Sequence, residues 1–311
     1  MEKNAKIYVS GHNGMLGAAM LSRLRAEGCT NVITRTHKEL DLTRQTDVEA
    51  FFKAEHPEYV FHIAAKTGGV MANKQYPLDY LADGTLIALN VLNAAYTFGA
   101  KGVVYVSSAN VYPEDALQPM REELFMNGKF PSILSGYSLA KTVGVKYCEC
   151  ANQQAGRHFV SAILPNVYGL NDRGTTVMPM LVDKFADAVI NEKSEVVIWG
   201  TGNARREFIY AADAADALVF LMEHGVSGEH YNAGSNEEYT IRELAETLRE
   251  VSGFQGQLVF DAAKPEGAGR LFLNSSKLYK LGWKPEVAFR DGVKKVYQQH
   301  LAWIEEKNRC I

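Results

Sequence analysis

A doubly wound α/β fold, a parallel sheet with helices on both faces, is the fold class that this sequence predicts, and three observations carry it. Short β-prone runs alternate with helix-period segments from residue 6 to about 168. A glycine-rich turn joins the first strand to the first helix. After Gly169 the alternation gives way to a mixed pattern, which predicts a smaller mixed α/β C-terminal lobe.

In "KIYVSGHNGMLGAAMLSRLRAEG", Ile7 to Ser10 is short and β-prone, and Leu16, Met20, Leu21 and Leu24 follow at helical spacing. "NVITRT" is expected as the second strand and "DVEAFFKAEHP" as a helix stopped by Pro57. "YVFHIAA" is the third strand, "GTLIALNVLNAAYTFG" a helix and "GVVYVSS" the next strand. "YSLAKTVGVKYCECANQQAG" is a long helix closed by Gly156, and "HFVSAILPNVYG" returns as a strand. Crossovers between these parallel strands should be right-handed.

Beyond Gly169, "LNDRGTTVMPMLVDKFADAVI" predicts a loop and a helix. "VVIWGTGNARREFIYAADAADAL" predicts a strand, a glycine loop and an Asp-rich entry into a helix. "YNAGSNEEYTIRELAETLREV" predicts a strand, a turn and a helix, with Thr240 as N-cap and Glu243 at capping-box spacing.

With 311 residues, the chain is long enough for one large domain or two interlocked ones. A net charge of -3 and a pI near 6.3 exclude a global pull toward nucleic acid or acidic membranes. Cys29, Cys148, Cys150 and Cys310 are too scattered for a disulfide framework. Cys148-x-Cys150 lacks a further pair at ligand spacing, so no metal site is expected. Neither a long apolar span nor a signal-peptide pattern is visible, and a cytoplasmic location is expected.

Gly11, Gly14 and Gly17 form G-x-x-G-x-x-G between strand and helix. Such glycines allow a tight turn and bring backbone N–H groups toward a pyrophosphate at the helix N-terminus. The sheet is therefore expected to be of the Rossmann type. Residues 1–168, with a return segment at about 206–226, form the expected dinucleotide-binding domain, and 169–311 mainly form a substrate lobe. The first gap is two residues, the spacing of short-chain dehydrogenases rather than the ordinary fingerprint. Asn13, Met15 and Leu16 complete the expected loop contacts. An acid at the end of the second strand would hold the ribose of NAD. Here Arg35 stands in its place, able to pair with a 2′-phosphate, with Lys38 nearby. NADPH is the expected cofactor; a solvated basic turn is the alternative. Asp41 and Leu42 are expected beside the adenine, and Ala64, Ala65 and Lys66 along the cofactor.

Tyr137 and Lys141 are four apart and share a helical face. An ammonium beside a phenol stabilises the phenolate, and the phenol can exchange a proton with a carbonyl or alcohol oxygen while hydride moves. Ser108, at a strand end, supplies a hydroxyl for the same oxygen.

With these residues in place, the chain resembles the extended short-chain dehydrogenase/reductases that act on nucleotide sugars, and within them the GDP-L-fucose synthase subfamily. "GHNGMLG", "RTHKELDL", "AAKTGGVMANKQYP", "SSANVYP", "YSLAK", "VVIWGTGNARREF" and "FDAAKPEGAGR" followed by "LGW" carry the likeness over nearly the whole chain. It implies a reductase triad of Ser108, Tyr137 and Lys141. It implies cofactor contacts from Gly11, Gly14, Gly17 and Arg35, with Pro165 and Asn166 also expected at the cofactor. It places Asn166, Lys184, Trp199 and Arg206 along a nucleotide-sugar site, with Arg270 as a further basic contact. Arg206 suits a diphosphate, though Arg205 beside it leaves a surface role open. Trp199 is equally open to a place in the core of the lobe. The resemblance also implies a homodimer through the Tyr-Lys helix and the one before it, both richer in apolar residues than one buried face requires.

The likeness fails at two places. The subfamily epimerises C3 and C5 with a cysteine two residues after the serine and a histidine before the following helix. This chain has Asn110 and Thr176 there, which have no useful pKa near neutrality. None of the eight histidines lies elsewhere in that loop, which is also shorter. Leu271 follows Arg270 where the subfamily has lysine. The expectation is an NADPH-dependent 4-ketoreductase of a nucleotide-linked, GDP-favoured, 4-keto-6-deoxy sugar or heptose without the epimerase step, with Asn110 and Thr176 facing the sugar. A full fucose synthase, a UDP-sugar 4-epimerase, a 4,6-dehydratase and a non-catalytic NADPH-sensing regulator are the alternatives. Arg35 weighs against the 4-epimerase, and Ala109-Asn110, lacking carboxylates, against the dehydratase.

Overall fold

The computed structural model describes residues 1–132, 134–172, 174, 176–264 and 269–309. Cys310 and the stretch Pro265, Glu266, Gly267 and Ala268, part of the "FDAAKPEGAGR" motif, lie outside them.

Six parallel strands form the main sheet: β1 (Ile7–Ser10), β2 (Val32–Ile33), β3 (Tyr59–His62), β4 (Gly102–Ser108), β5 (His158–Leu164) and β9 (His230–Asn232), in the order β2-β1-β3-β4-β5-β9. Period-two alternation feeds both faces. Ile7, Val9, Val104 and Val106 pack with Met20 and Leu24 of α1 (Met15–Ala26) and Leu218 of α7 (Ala211–His224). Tyr8, Val60, Val103 and Tyr105 pack on the other face with Phe52 of α2 (Gln45–Glu55), Val91 of α4 (Pro77–Thr97) and Cys148 of α5 (Ser135–Ala155).

The α4–α5 contact is close because glycines face it. A Cβ on Gly84 would lie 2.9 Å from Ala140, and one on Gly136 would lie 2.4 Å from the Pro77 carbonyl. α4 begins earlier than the sequence pattern suggests, at Pro77, whose missing N–H costs nothing in a first turn. The short α3 (Val70–Gln75) was not expected. β2 is only two residues long, an edge strand with one neighbour.

The predicted strand "HFVSAILPNVYG" divides at Pro165, which has no N–H for a ladder. β5 stays in the main sheet, while β6 (Asn166–Tyr168) pairs with β8 (Arg205–Tyr210) in a second sheet. There β8 also pairs with β10 (Glu238–Thr240) and β12 (Arg270–Leu271). β8 was not anticipated as a strand, because its partners are remote in sequence. β7 (Glu195–Trp199) pairs with β11 (Gln257–Asp261). α6 (Val177–Ile190), α8 (Ile241–Ser252) and α10 (Phe289–Arg309) close a second core around Phe185, Leu244 and Val293. The Thr240–Glu243 capping box opens α8 as expected. α9 (Ser276–Lys280) returns to the first core through Leu278. Among the described residues no helix is long and apolar enough to cross a membrane.

Candidate active site

At the end of β1 the chain turns at Gly11, whose φ of 75° favours glycine. A Cβ there would lie 2.8 Å from the Ala64 nitrogen, and one on Gly17 would lie 2.1 Å from the Gly11 carbonyl. The loop therefore lies flat against β3, and the start of α1 tucks under it. Asn13 and Gly14 are exposed, and the first turn of α1 carries no acid, so no carboxylate of that turn repels an anion from the helix N-terminus. Leu16 points into the core and Met15 is half-buried, so Leu16 can offer a ligand only its backbone. Such a cradle, which a Cβ at Gly11 or Gly17 would destroy, fits a pyrophosphate.

Ser10 and His62 brace this edge, and the sequence pattern did not single them out. The Ser10 hydroxyl accepts from the nitrogens of Ile63 (3.1 Å) and Ala64 (3.2 Å), leaving its proton for His62 Nδ1 at 2.8 Å. His62 is fully buried, and burial with the nearby Lys141 charge pushes it down to about 3.

Arg35 follows β2. Its Nη2 donates to Glu55 at 2.6 Å and its Nη1 to the Thr34 carbonyl at 2.8 Å, with the guanidinium 5.1 Å from the Phe51 ring centre. The Asp41 carboxylate caps Thr43, and Leu42 offers its carbonyl to Asn90. Ala65 follows Ala64, and Lys66 is drawn to Asp83 and Asp79 of α4.

α5 carries Tyr137 and Lys141 toward the end of β4. Lys141 Nζ donates to the Val106 carbonyl at 2.6 Å and sits 5.0 Å from the Tyr105 ring centre. Burial lowers the ammonium to about 7. The Tyr137 phenol is raised by burial, and a hydrogen bond from Ser108 works against that rise. Ser108 ends β4, and Asn110 stands in the 3-10 turn that follows, its Nδ2 3.0 Å from Ser108 Oγ. Serine, phenol and lysine thus converge at one strand end, with the phenol holding a proton it can give.

A path leads from there into the second lobe. Ser108 pairs with Leu164, so Pro165 and Asn166 continue beside the serine on the next strand. Asn166 Nδ2 donates to the Glu207 carbonyl at 3.0 Å, and Arg206 precedes Glu207. Arg206 is in register with Leu271, beside Arg270. Arg270 forks onto Glu238 at 2.6 and 2.7 Å. Farther along, Lys184 Nζ donates to the Val197 carbonyl at 2.7 Å and lies 5.7 Å from the Trp199 ring centre. Trp199 is 47% exposed, a free aromatic face rather than a core residue. Thr176 is exposed at the N-cap of α6. Glu207, fully buried and held by the backbone N–H groups of Leu273 and Asn236, was missed: an acid in "REFIY" gives no sequence signal for burial.

Residues 7–234 match the model of the NAD dependent epimerase/dehydratase family. The chain belongs to that family. Among curated members, GDP-L-fucose synthase 1 of Arabidopsis thaliana is 43% identical, over 99% of this chain and 95% of its own length. Among solved structures, the GDP-mannoheptose C4 reductase MlghC of Campylobacter jejuni with NADP bound is 34% identical, with a TM-score of 0.90 over 96% of this chain and 99% of the other. A GDP-L-fucose synthetase of Naegleria fowleri bound to NADP is 26% identical, with a TM-score of 0.90 over 98% and 95%. The chain thus shares its fold with a reductase and with a synthetase.

Proposed function

We propose that this protein is an NADPH-dependent 4-ketoreductase of a GDP-linked 4-keto-6-deoxy sugar or heptose, lacking 3,5-epimerase activity. One observation carries this: Ser108, Tyr137 and Lys141 converge while the neighbouring acid/base position holds an amide bonded to the serine. Thr176 offers only a hydroxyl, and His62 is sealed in the core. Names of relatives support a GDP-sugar substrate and reductase chemistry. They also favour the competing reading, a full fucose synthase.

NADPH supplies the hydride when bound. Residues 1–168, with 206–226, hold it: the Gly11–Gly17 loop takes the pyrophosphate, Arg35 the 2′-phosphate, and Asp41, Leu42 and Ala64 to Lys66 flank the nucleoside. Tyr137 gives its proton to the keto oxygen, and Ser108 hydrogen-bonds that oxygen. Lys141 orients the cofactor ribose and supports the phenolate left behind. Residues 169–311 mainly hold the sugar nucleotide: Trp199 and Lys184 the base, Arg206 and Arg270 the diphosphate, and Asn166 and Thr176 the sugar side. Exposed Leu78, Leu86 and Leu139 on α4 and α5 support a homodimer.

The test is NADPH consumption with GDP-4-keto-6-deoxymannose and with UDP-glucose. One NADPH per keto-sugar consumed, and none with UDP-glucose, is expected; interconversion of UDP-sugars without net oxidation would overturn the proposal. In the same assay Arg35→Ala should raise KM for NADPH by about 10- to 100-fold and leave NADH nearly unchanged, the worth of a charge-assisted phosphate contact.

A further inference from the structure

We propose that Asn110 is a positioning residue that fixes the direction of the Ser108 proton, aiming it at the keto oxygen. The inference rests on the ketoreductase proposal and deepens it. A serine hydroxyl has one proton and two acceptor positions. Ser108 Oγ faces two N–H donors from one residue: Asn110 Nδ2 at 3.0 Å and the Asn110 backbone nitrogen at 3.4 Å. Both acceptor positions are thereby engaged from the turn, and the hydroxyl proton is left to the cleft, where Tyr137 stands.

The turn is held rigidly enough to set this geometry. Ala109 and Val111, on either side of Asn110, are buried with Met120 and Leu273, and the Tyr112 hydroxyl donates to Asn232 at 2.7 Å. Only Asn110 in the turn stays half-buried, on the side of the serine. A hydroxyl that accepts hydrogen bonds is polarised into a better donor. A thiol at this position, a weak donor, would not supply that bias. The amide therefore does more than remove an acid/base group: it organises the donor that meets oxyanion charge during reduction.

Asn110→Asp separates donor from acceptor at constant shape. An ionised aspartate only accepts, so it draws the Ser108 proton to itself, whereas a protonated one donates as the amide does. With NADPH and GDP-4-keto-6-deoxymannose, Asn110→Asp should lose about 100-fold in kcat at pH 8 with little change in KM. Its kcat should recover as pH falls and the carboxyl protonates, a limb absent from the wild type and from Asn110→Ala. Thermal melting confirms that the variants are folded. A second readout needs no turnover: the Tyr137 phenol, followed as the ultraviolet difference between each protein and its Tyr137→Phe counterpart, should titrate about one unit higher in Asn110→Asp. An Asn110→Asp enzyme with the wild-type pH profile and phenol titration overturns the proposal, as does a loss confined to KM, which would make Asn110 a sugar contact. If the wild type fails to reduce the keto-sugar, the ketoreductase proposal falls by itself, and the phenol titration still decides the role of Asn110.

Discussion

Tyr137→Phe is expected to lower kcat for keto-sugar reduction by about 10³-fold, with NADPH binding altered only a few-fold. Phenylalanine keeps the ring on α5 and removes only the hydroxyl proposed to give the proton. Ser108 remains able to hydrogen-bond the keto oxygen, but an alkyl hydroxyl is far less acidic than a phenol and does not replace it as proton donor. Lys141 stays tied to Val106 and Tyr105, so the sheet end is undisturbed. Single-turnover oxidation of NADPH reads the chemical step without interference from product release. A loss under tenfold would place the proton donor elsewhere.

Glu207→Ala should cost about 3 kcal/mol or more in folding stability, measured as a drop in the urea midpoint. The carboxylate accepts from the nitrogens of Leu273 at 2.9 Å and Asn236 at 2.8 Å, and tightly abuts Gly234, where a Cβ would lie 2.2 Å from its oxygen. Alanine leaves these buried N–H groups unpaired. Burial pushes the carboxyl up to about 7. A raised carboxyl pKa means that the folded state binds the proton more tightly. The wild type should therefore lose stability as pH rises from about 4.5 to 7, and Glu207→Ala should flatten that slope. Because Glu207 lies between Arg206 and Phe208 and its carbonyl receives Asn166, the variant should also weaken sugar-nucleotide binding. An unchanged midpoint with a steep pH slope would deny it this role.

What the sequence disclosed and what it hid follow one physical rule. The glycine loop, the Tyr137–Lys141 pair and the Thr240 cap are set by neighbours within a few residues, so spacing alone reveals them. β8 depends on β6, β10 and β12, whose positions in the chain carry no local signal. Glu207 and Glu238 were hidden for the same reason: an acid looks solvated until its remote backbone or arginine partners are known. Pro165 was visible as a break, but its consequence, a strand shared between two sheets, required both sheets. Asn110 was visible as a departure from the resemblance and was expected against the sugar; its bond to Ser108 emerged only with the geometry of the turn.

The most direct measurement of the central claim is reduction of GDP-4-keto-6-deoxymannose by NADPH in D₂O, with deuterium located in the product by NMR and mass. Turnover with no deuterium at C3 or C5 is the result predicted for a 4-ketoreductase whose nearby amide and hydroxyl cannot move those protons. Deuterium at both carbons would contradict it and make the protein a 3,5-epimerase/4-reductase with another acid/base pair.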